Sequence, residues 1–356
     1  MTIEMPVEES LFEWRNMINS WEVDDAKKIR PALLKRVEAT GEPHLMDLYS
    51  LISVGYYRLN KEPGKADKVM KSLADDIENL TYSNKLRFYA LRGADAMNIR
   101  DYRAAFEDLY EAYKLDKDIK IAGFGLYCSL ASCLTMFGFS NLAIEFFKKA
   151  RSLCDETEVA LIYVNAPLAI CYSRVGMFDK AMEALDECAH IEKMKPRSTP
   201  NFGQIFYSYA YMHMKQRDYG EALEYCECAI GRADEGSREY LTSLLLKAKI
   251  HSLMGDISSM EKCVEEGIVA SQRFETIHIQ FNAYKHLCTL SDPDSMEYMT
   301  KVAIPTSLRE RRYQMVIEYY DKLSIHFRSQ GKYEETLDYM KLAREYVEKL
   351  IGGDLT

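Results

Sequence analysis

Residues 165–188 read NAPLAICYSRVGMFDKAMEALDEC and contain the pattern that decides the fold. A small residue, Ala169, precedes Gly176, and a second small residue, Ala181, follows that glycine. Glycine at such a point allows the left-handed backbone conformation that ends a helix. The stretch therefore predicts two helices joined by a tight turn at Gly176, with small residues where the two helices approach each other closely.

The same arrangement recurs along the chain at a nearly constant period. The small position of the second helix recurs at Ala105, Ala143, Ala181, Ala222 and Met260, in steps of 38, 38, 41 and 38 residues. Twelve residues before each of them, and before Thr336 in a further unit, lies another small residue: Gly93, Ala131, Ala169, Ala210, Ala248 and Ser324. The turn between the two helices carries Asp101, Gly138, Gly176, Asp218, Gly255 or Gly331. This period predicts a row of helical hairpins.

This order of small and aromatic residues is that of the tetratricopeptide repeat, with helices about one turn longer than in its usual form. One such hairpin cannot bury its apolar face alone, so neighbouring hairpins stack into one continuous core. We predict an all-α fold, in which an N-terminal three-helix bundle (1–62) precedes a tetratricopeptide-like superhelix of helical hairpins (63–356).

Three local expectations accompany this division. Pro31 should lie in the first turn of a helix or mark a break, because proline disrupts a helix interior. The unit around Tyr298 should be degenerate, since His286 replaces the small residue there. Residues 341–351 should form a C-terminal capping helix.

Composition excludes several classes of protein. The 356 residues are 47% apolar and 28% charged, which is typical of a folded globular chain. A net charge of −9 argues against direct binding of nucleic acid. No apolar run reaches the 18 residues of a membrane span, and the acidic start has no signal-peptide core. We therefore expect a cytoplasmic protein with no membrane association.

No cofactor or metal site is expected from the motifs. The nine cysteines have irregular spacing, and Cys226 and Cys228 have no second pair at zinc-binding distance. The seven histidines fall in different units, and no glycine-rich phosphate loop is present.

The inner face of the superhelix is the candidate binding site. We take the small residue of each first helix as a reference point. The residues expected to face inward lie six and three positions before it, and one, four and five positions after it. They are Arg87, Cys128, Ser132, Tyr163, Ser173, Arg174, Gln204, Tyr207, Tyr211, Lys215, Thr242, Lys249 and Ser252. Tyrosine and cationic side chains are suited to gripping an extended peptide and its carboxylates. In the plainer alternative, most of the 25 tyrosines are wedges between helices.

The chain resembles the response-regulator aspartate phosphatase (Rap) family over nearly its whole length. The segments that carry the resemblance are 11–14 (LFEW), 48–52 (LYSLI), 85–89 (KLRFY), 264–268 (VEEGI) and 330–333 (QGKY). The resemblance implies a cytoplasmic quorum-sensing receptor whose repeats bind a short signalling peptide. It also implies an N-terminal bundle that docks on a response regulator or a transcription factor, and that peptide binding displaces.

Three positions depart from the family pattern. Phosphatase members place a glutamine just before the third helix to position the attacking water, whereas this chain has Pro43 there, beside Glu42. The family's peptide-gripping acid falls at Arg174, and its asparagine falls at Ser208. A positive charge at residue 174 favours an acidic group or a carboxyl terminus on the ligand.

Three functions are therefore open from the sequence. The first is a Rap-like receptor that binds its partner without hydrolysis, the second an active aspartyl-phosphate phosphatase, and the third a repeat scaffold with no small ligand. The sequence leaves homodimerisation through the terminal repeats open.

Overall fold

The computed structural model describes residues 5–19, 23–119, 121–154, 158–194 and 202–352, and the elements found there are helices. The chain divides into two compact units, Met1–Ala122 and Gly123–Thr356. The all-α prediction is confirmed.

The first unit holds the N-terminal bundle and the first regular hairpin. Its helices are α1 (Val7–Asn19), α2 (Val23–Thr40), α3 (Pro43–Leu59), α4 (Pro63–Asp75), α5 (Tyr82–Asn98) and α6 (Tyr102–Ile119), with a 3-10 turn at Ile77–Asn79. Helices α1–α3 pack around Trp14, which stacks on Tyr49 at 5.2 Å and donates from Nε1 to the backbone oxygen of Ala26 at 3.0 Å. The three predicted helices are thus present, with a large aromatic side chain at their centre.

The boundary between the two compact units differs from the predicted domain boundary. Helix α3 contacts both α4 and α5, and Arg58 on α3 forms an ion pair with Asp95 on α5. The bundle and the first hairpin therefore share one unit, which ends at Ala122. A functional division after residue 62 stays a prediction.

The second unit is a row of helical hairpins. It contains α7 (Phe124–Phe137), α8 (Ser140–Ser152), α9 (Glu158–Arg174), α10 (Phe178–Met194), α11 (Phe202–Gln216), α12 (Tyr219–Gly231), α13 (Arg238–Met254), α14 (Ile257–Ala270), α15 (Glu275–Leu287), α16 (Pro293–Tyr298), α17 (Ile304–Arg309), α18 (Tyr313–Ser329) and α19 (Tyr333–Gly352). The first helices α7, α9, α11, α13, α15 and α18 contact one another in this order.

Small residues lie where the helices approach most closely, as the period predicts. Ala143, Ala181 and Ala222 are fully buried, as is the larger Met260 at the same position of the next hairpin. Gly267 marks the tightest contact, because a Cβ atom there would lie 2.1 Å from Cε1 of Phe281 on the next helix. A side chain at residue 267 would therefore push α14 and α15 apart.

The turns confirm the prediction at glycine and refine it at aspartate. Gly138 has a φ of +101° and ends α7, as expected of a left-handed cap. At Asp218, however, the left-handed residue is the preceding Arg217, with a φ of +66°. Asp218 instead precedes α12 as its N-terminal cap residue. Aspartate therefore lies in the turn as predicted, and the left-handed residue is the arginine directly before it.

Two predictions about individual helices were wrong. Pro31 lies in the interior of α2, whose helix continues past it. Proline has no N–H, so the backbone oxygen of Lys27 lacks the hydrogen bond that residue 31 would normally donate. Because Lys27 and Pro31 are both exposed, water can donate to that oxygen instead. The expected capping helix at 341–351 is the second half of α19, which begins at Tyr333.

The degenerate unit has a broken second helix. Helices α16 and α17 are joined by a π-helical segment, Met299–Ala303, and Pro305 is the second residue of α17. Proline has no N–H to donate into the preceding turn, and π-helical turns often accommodate such an interruption. The irregular spacing near Tyr298 thus reflects an interrupted helix, not a missing one.

The first and last hairpins of the second unit touch. The ring of Phe139, between α7 and α8, meets the ring of Tyr313 edge-on at 6.1 Å. A Cβ atom on Gly138 would lie 3.2 Å from Cδ1 of Leu350 on α19. Phe139 is fully buried by these contacts. The first and last hairpins of this unit therefore meet at these two points.

Candidate functional site

The second unit brings five of the predicted binding residues together on its first helices. We call Arg174 (α9), Tyr207, Tyr211 and Lys215 (α11) and Lys249 (α13) the Tyr211 cluster. Tyr207 and Tyr211 stack at 6.5 Å, one helical turn apart. Lys215 lies a further turn along the same face, with its Nζ 5.8 Å from the centre of the Tyr211 ring.

Arg174 is held from two sides. Its Nε donates to the hydroxyl oxygen of Tyr211 at 3.2 Å, and its Nη1 donates to the backbone oxygen of Thr135 at the end of α7. Its guanidinium carbon lies 5.6 Å from the centre of the Tyr211 ring. Arg174 therefore joins three consecutive hairpins and has a fixed orientation.

The charges around Tyr211 are positive enough to change its titration. Burial raises the pKa of this phenol, but the charges of Arg174, Lys215 and Lys249 outweigh burial and leave the pKa below its ordinary value. Burial raises the pKa of Tyr207, one turn away. The cluster thus concentrates positive charge at Tyr211.

Lys249 is engaged by an acid from a distant hairpin. Its Nζ lies 2.6 Å from Oε2 of Glu318 on α18, 69 residues further along the chain. The hydroxyl of Tyr284 on α15 donates to the other oxygen of Glu318 at 2.9 Å. Burial raises the pKa of Glu318, but Lys249 and Tyr284 outweigh it and hold the pKa below its ordinary value. This contact spans three first helices.

The sequence prediction did not include Glu318 or Tyr284. Glu318 stands six residues before the small residue Ser324, which is the register that selected Tyr163 and Gln204. Extending the rule to the last hairpin would have found it. Gln280 occupies the same register in the hairpin between, where its Nε2 atom is buried without a hydrogen-bond partner in the described structure.

Other predicted residues lie outside the cluster. Tyr163 on α9 is 44% exposed and Gln204 on α11 is also exposed, so both side chains are open to a ligand. Ser208 is fully buried and donates to the backbone oxygen of Gln204 at 2.8 Å, which commits its hydroxyl to its own helix. Ser132, Ser173 and Thr242 make the same kind of bond.

Arg87 belongs to the first unit. Its guanidinium carbon lies 5.5 Å from the centre of the Phe12 ring on α1, and its side chain donates to Ser83. Burial, followed by the charge of Arg15, lowers the pKa of Arg87. The structure therefore places Arg87 against the bundle, in a different unit from the Tyr211 cluster.

The position of the family's glutamine is well defined. Glu42 is the residue directly before α3, and Pro43 is the first residue of that helix. The carboxylate of Glu42 lies 3.5 Å from Nε2 of His44, and its backbone N–H donates to the hydroxyl of Thr40. Pro43 has neither a side-chain amide nor a backbone N–H to hold a water molecule.

Fold and site together define an array of tetratricopeptide-like hairpins with an aromatic, cationic inner cluster. No known family model matches the chain. The transcriptional activator NprA of Geobacillus stearothermophilus is 20% identical over 237 residues, which are 64% of this chain and 57% of that protein. The aligned region thus spans little more than half of this curated relative.

Two solved structures resemble the chain over almost its entire length. One is a Rap protein complexed with competence and sporulation factor, with a TM-score of 0.77, 15% identity, and coverage of 98% of this chain and 99% of that one. The other is NprR in complex with its cognate peptide NprX, with a TM-score of 0.76, 16% identity, and coverage of 96% and 99%. The resemblance to the Rap family is confirmed in the fold.

No helix in the described part of the chain is long and apolar enough to cross a membrane.

Proposed function

We propose that this chain is a peptide-regulated signalling receptor of the Rap and NprR type. Its second unit binds a short peptide along the first helices, and its N-terminal bundle binds a response regulator or a transcription factor. Peptide binding changes the hairpin packing and thereby the affinity for the partner, as a shift between two populations. We place this receptor in the cytoplasm, and dimerisation stays a prediction.

The Tyr211 cluster is the observation that carries this proposal. It gathers aromatic and cationic groups from α9, α11 and α13, and the Lys249–Glu318 pair extends it to α18. Two solved proteins with this fold are complexes with a signalling factor or a cognate peptide. A peptide bound across several first helices would stabilise them in one arrangement.

Pro43 favours binding over hydrolysis at the N-terminal bundle. Hydrolysis of an aspartyl phosphate requires a group that positions water, and Pro43 lacks one at the start of α3. The nearby Glu42 carboxylate is an acceptor only, and its negative charge opposes the approach of a phosphate. We therefore propose that the bundle sequesters its partner.

Thermal denaturation with a pool of penta- to heptapeptides tests the receptor function. A ligand at 100 times its Kd adds about 2.7 kcal/mol to the stability of the protein that it binds. We expect the midpoint of unfolding to rise for the wild-type chain and to rise less for Tyr211→Ala. An unchanged midpoint for every peptide would refute peptide binding and favour a scaffold.

Phosphate release from phosphorylated response regulators separates sequestration from catalysis. We expect no release above the regulator's own rate with the wild-type chain, and a gain with Pro43→Gln. Release by the wild-type chain that Glu42→Ala abolishes would establish the phosphatase instead.

A further inference from the structure

Arg174 is a partly buried arginine with no acidic partner among the described residues. Arg58 pairs with Asp95 and Arg312 with Glu310, whereas Arg87 in the first unit also donates to a neutral partner, Ser83. Within the described ranges, Arg174 forms no ion pair, although it lies on the inner face of α9 among aromatic side chains. A cation withdrawn from water without a compensating charge is unfavourable. No described acidic side chain supplies that charge to Arg174, and a carboxylate on a ligand would.

The orientation of Arg174 leaves part of its guanidinium available. Its Nε is used by Tyr211 and its Nη1 by the Thr135 carbonyl, while Nη2 makes no hydrogen bond to a described residue. Guanidinium groups bind carboxylates through adjacent N–H donors in a planar fork. Because Thr135 and Tyr211 hold the fork in place, a ligand would not have to order it.

Lys215 supplies a second free cation beside the same ring. Its ammonium lies 5.8 Å from the centre of the Tyr211 ring and forms no ion pair with the described residues. Lys249, by contrast, is neutralised by Glu318 at 2.6 Å. The uncompensated charge of the cluster is thus confined to the α9–α11 side.

We infer that Arg174 and Lys215 form a clamp for one carboxylate of the bound peptide, an inference that rests on the proposed receptor function. Both cations lie beside the Tyr211 ring, and Tyr211 and Thr135 orient Arg174. Glu318 needs no cation from the ligand, because Lys249 and Tyr284 already satisfy it. The carboxylate comes either from the C-terminus of the peptide or from an aspartate or glutamate side chain.

Four matched pools of N-acetylated heptapeptides test the clamp and identify the source of the carboxylate. All are randomised over Gly, Ala, Ser, Val and Tyr. The first has a free C-terminus and the second a C-terminal amide. The third and fourth are amidated and carry one Asp or one Asn at a random position. Affinity-selection mass spectrometry ranks the pools, and titration calorimetry on the selected peptides gives Kd.

We expect the free-acid pool, the Asp pool, or both to bind better than the amide and Asn pools. Removing a hydrogen bond to a charged group weakens binding by about 10- to 100-fold, so we expect that loss for carboxylate peptides with Arg174→Gln. Lys215→Gln should weaken the same peptides by a smaller factor. Arg344→Gln, at an exposed arginine of α19, is the matched control and should change nothing.

The outcomes separate the clamp from the receptor function. Binding that is equal for all four pools, or insensitive to both Arg174→Gln and Lys215→Gln, would overturn the clamp and leave the receptor standing. Absence of binding by every pool would count against both. Lys215 is exposed, so its variant folds even if a change at Arg174 disturbs the hairpins.

Discussion

The N-terminal bundle and the hairpin row pack their helices together with side chains of opposite size. In the bundle, three helices surround one large side chain, and Trp14 contacts both Tyr49 and Tyr56. In the hairpin row, small residues let backbones approach, and the extreme case is Gly267 against Phe281. The bundle should therefore fail when its centre is made smaller, and the row should fail when a contact point is made larger.

Trp14→Ala should produce the largest effect. Removing a fully buried aromatic side chain costs about 3–5 kcal/mol of unfolding free energy. Because α1–α3 share this centre, amide hydrogen exchange should lose protection there and keep it in α11–α14. Tyr82→Ala, at a tyrosine that is 73% exposed, is the control and should have little effect. Equal loss of protection in α11–α14 would show that the two regions do not unfold separately.

Gly267→Ala should give the next largest effect, although alanine is normally the better helix former. A Cβ atom at 2.1 Å from the Phe281 ring forces α14 and α15 apart, and overpacking of this kind costs about 1–3 kcal/mol. Urea denaturation measures the loss. Gly220→Ala, in α12, is the matched control because a Cβ atom there meets nothing within 4 Å. If both variants were equally stable, the close approach of Gly267 to Phe281 would not contribute to the stability of the protein.

Glu318→Gln should have a smaller effect, which depends on pH. The pKa of Glu318 is lowered in the folded state, so its ionisation stabilises the fold above the unfolded-state pKa of about 4.3. This contribution disappears as pH falls through the folded-state pKa. Because both side chains of the pair are partly exposed and screened by water, we expect the variant to be less stable by about 1–2 kcal/mol at pH 7 and to approach the wild type in strong acid. A constant difference across that range would contradict the assignment.

The smallest effect should appear in the titration of one tyrosine. The cations of the cluster lower the pKa of Tyr211, so Arg174→Gln should raise that pKa. The difference in ultraviolet absorbance between each protein and its Tyr211→Phe counterpart isolates this phenol. An unchanged titration would mean that Arg174 does not act on Tyr211 in solution.

The repeat was predictable because it depends on local geometry. Each hairpin needs a small residue where its own two helices meet, so Ala143, Ala181 and Ala222 reveal the period directly. The same logic placed Arg174, Tyr211 and Lys215 on one face. Helix continuity was harder to predict, since Pro31 is tolerated only because its surroundings are exposed.

Contacts between distant hairpins could not be predicted in this way. The pairing of Lys249 with Glu318 depends on how far each hairpin rotates against the next, and small rotations accumulate over 69 residues. No local sequence pattern determines the total rotation between two distant hairpins. The boundary at Ala122 is hidden for a similar reason, because it follows from packing between α3 and α5 and not from a break in composition.

The meeting of Phe139 with Tyr313 changes how the second unit can lose its structure. A linear stack frays from its two termini, since each outermost repeat is held on one side only. In this unit the two outermost hairpins contact each other, so neither can unfold from the end before the contact between Phe139 and Tyr313 is lost. This one aromatic contact thus couples the unfolding of the two outermost hairpins.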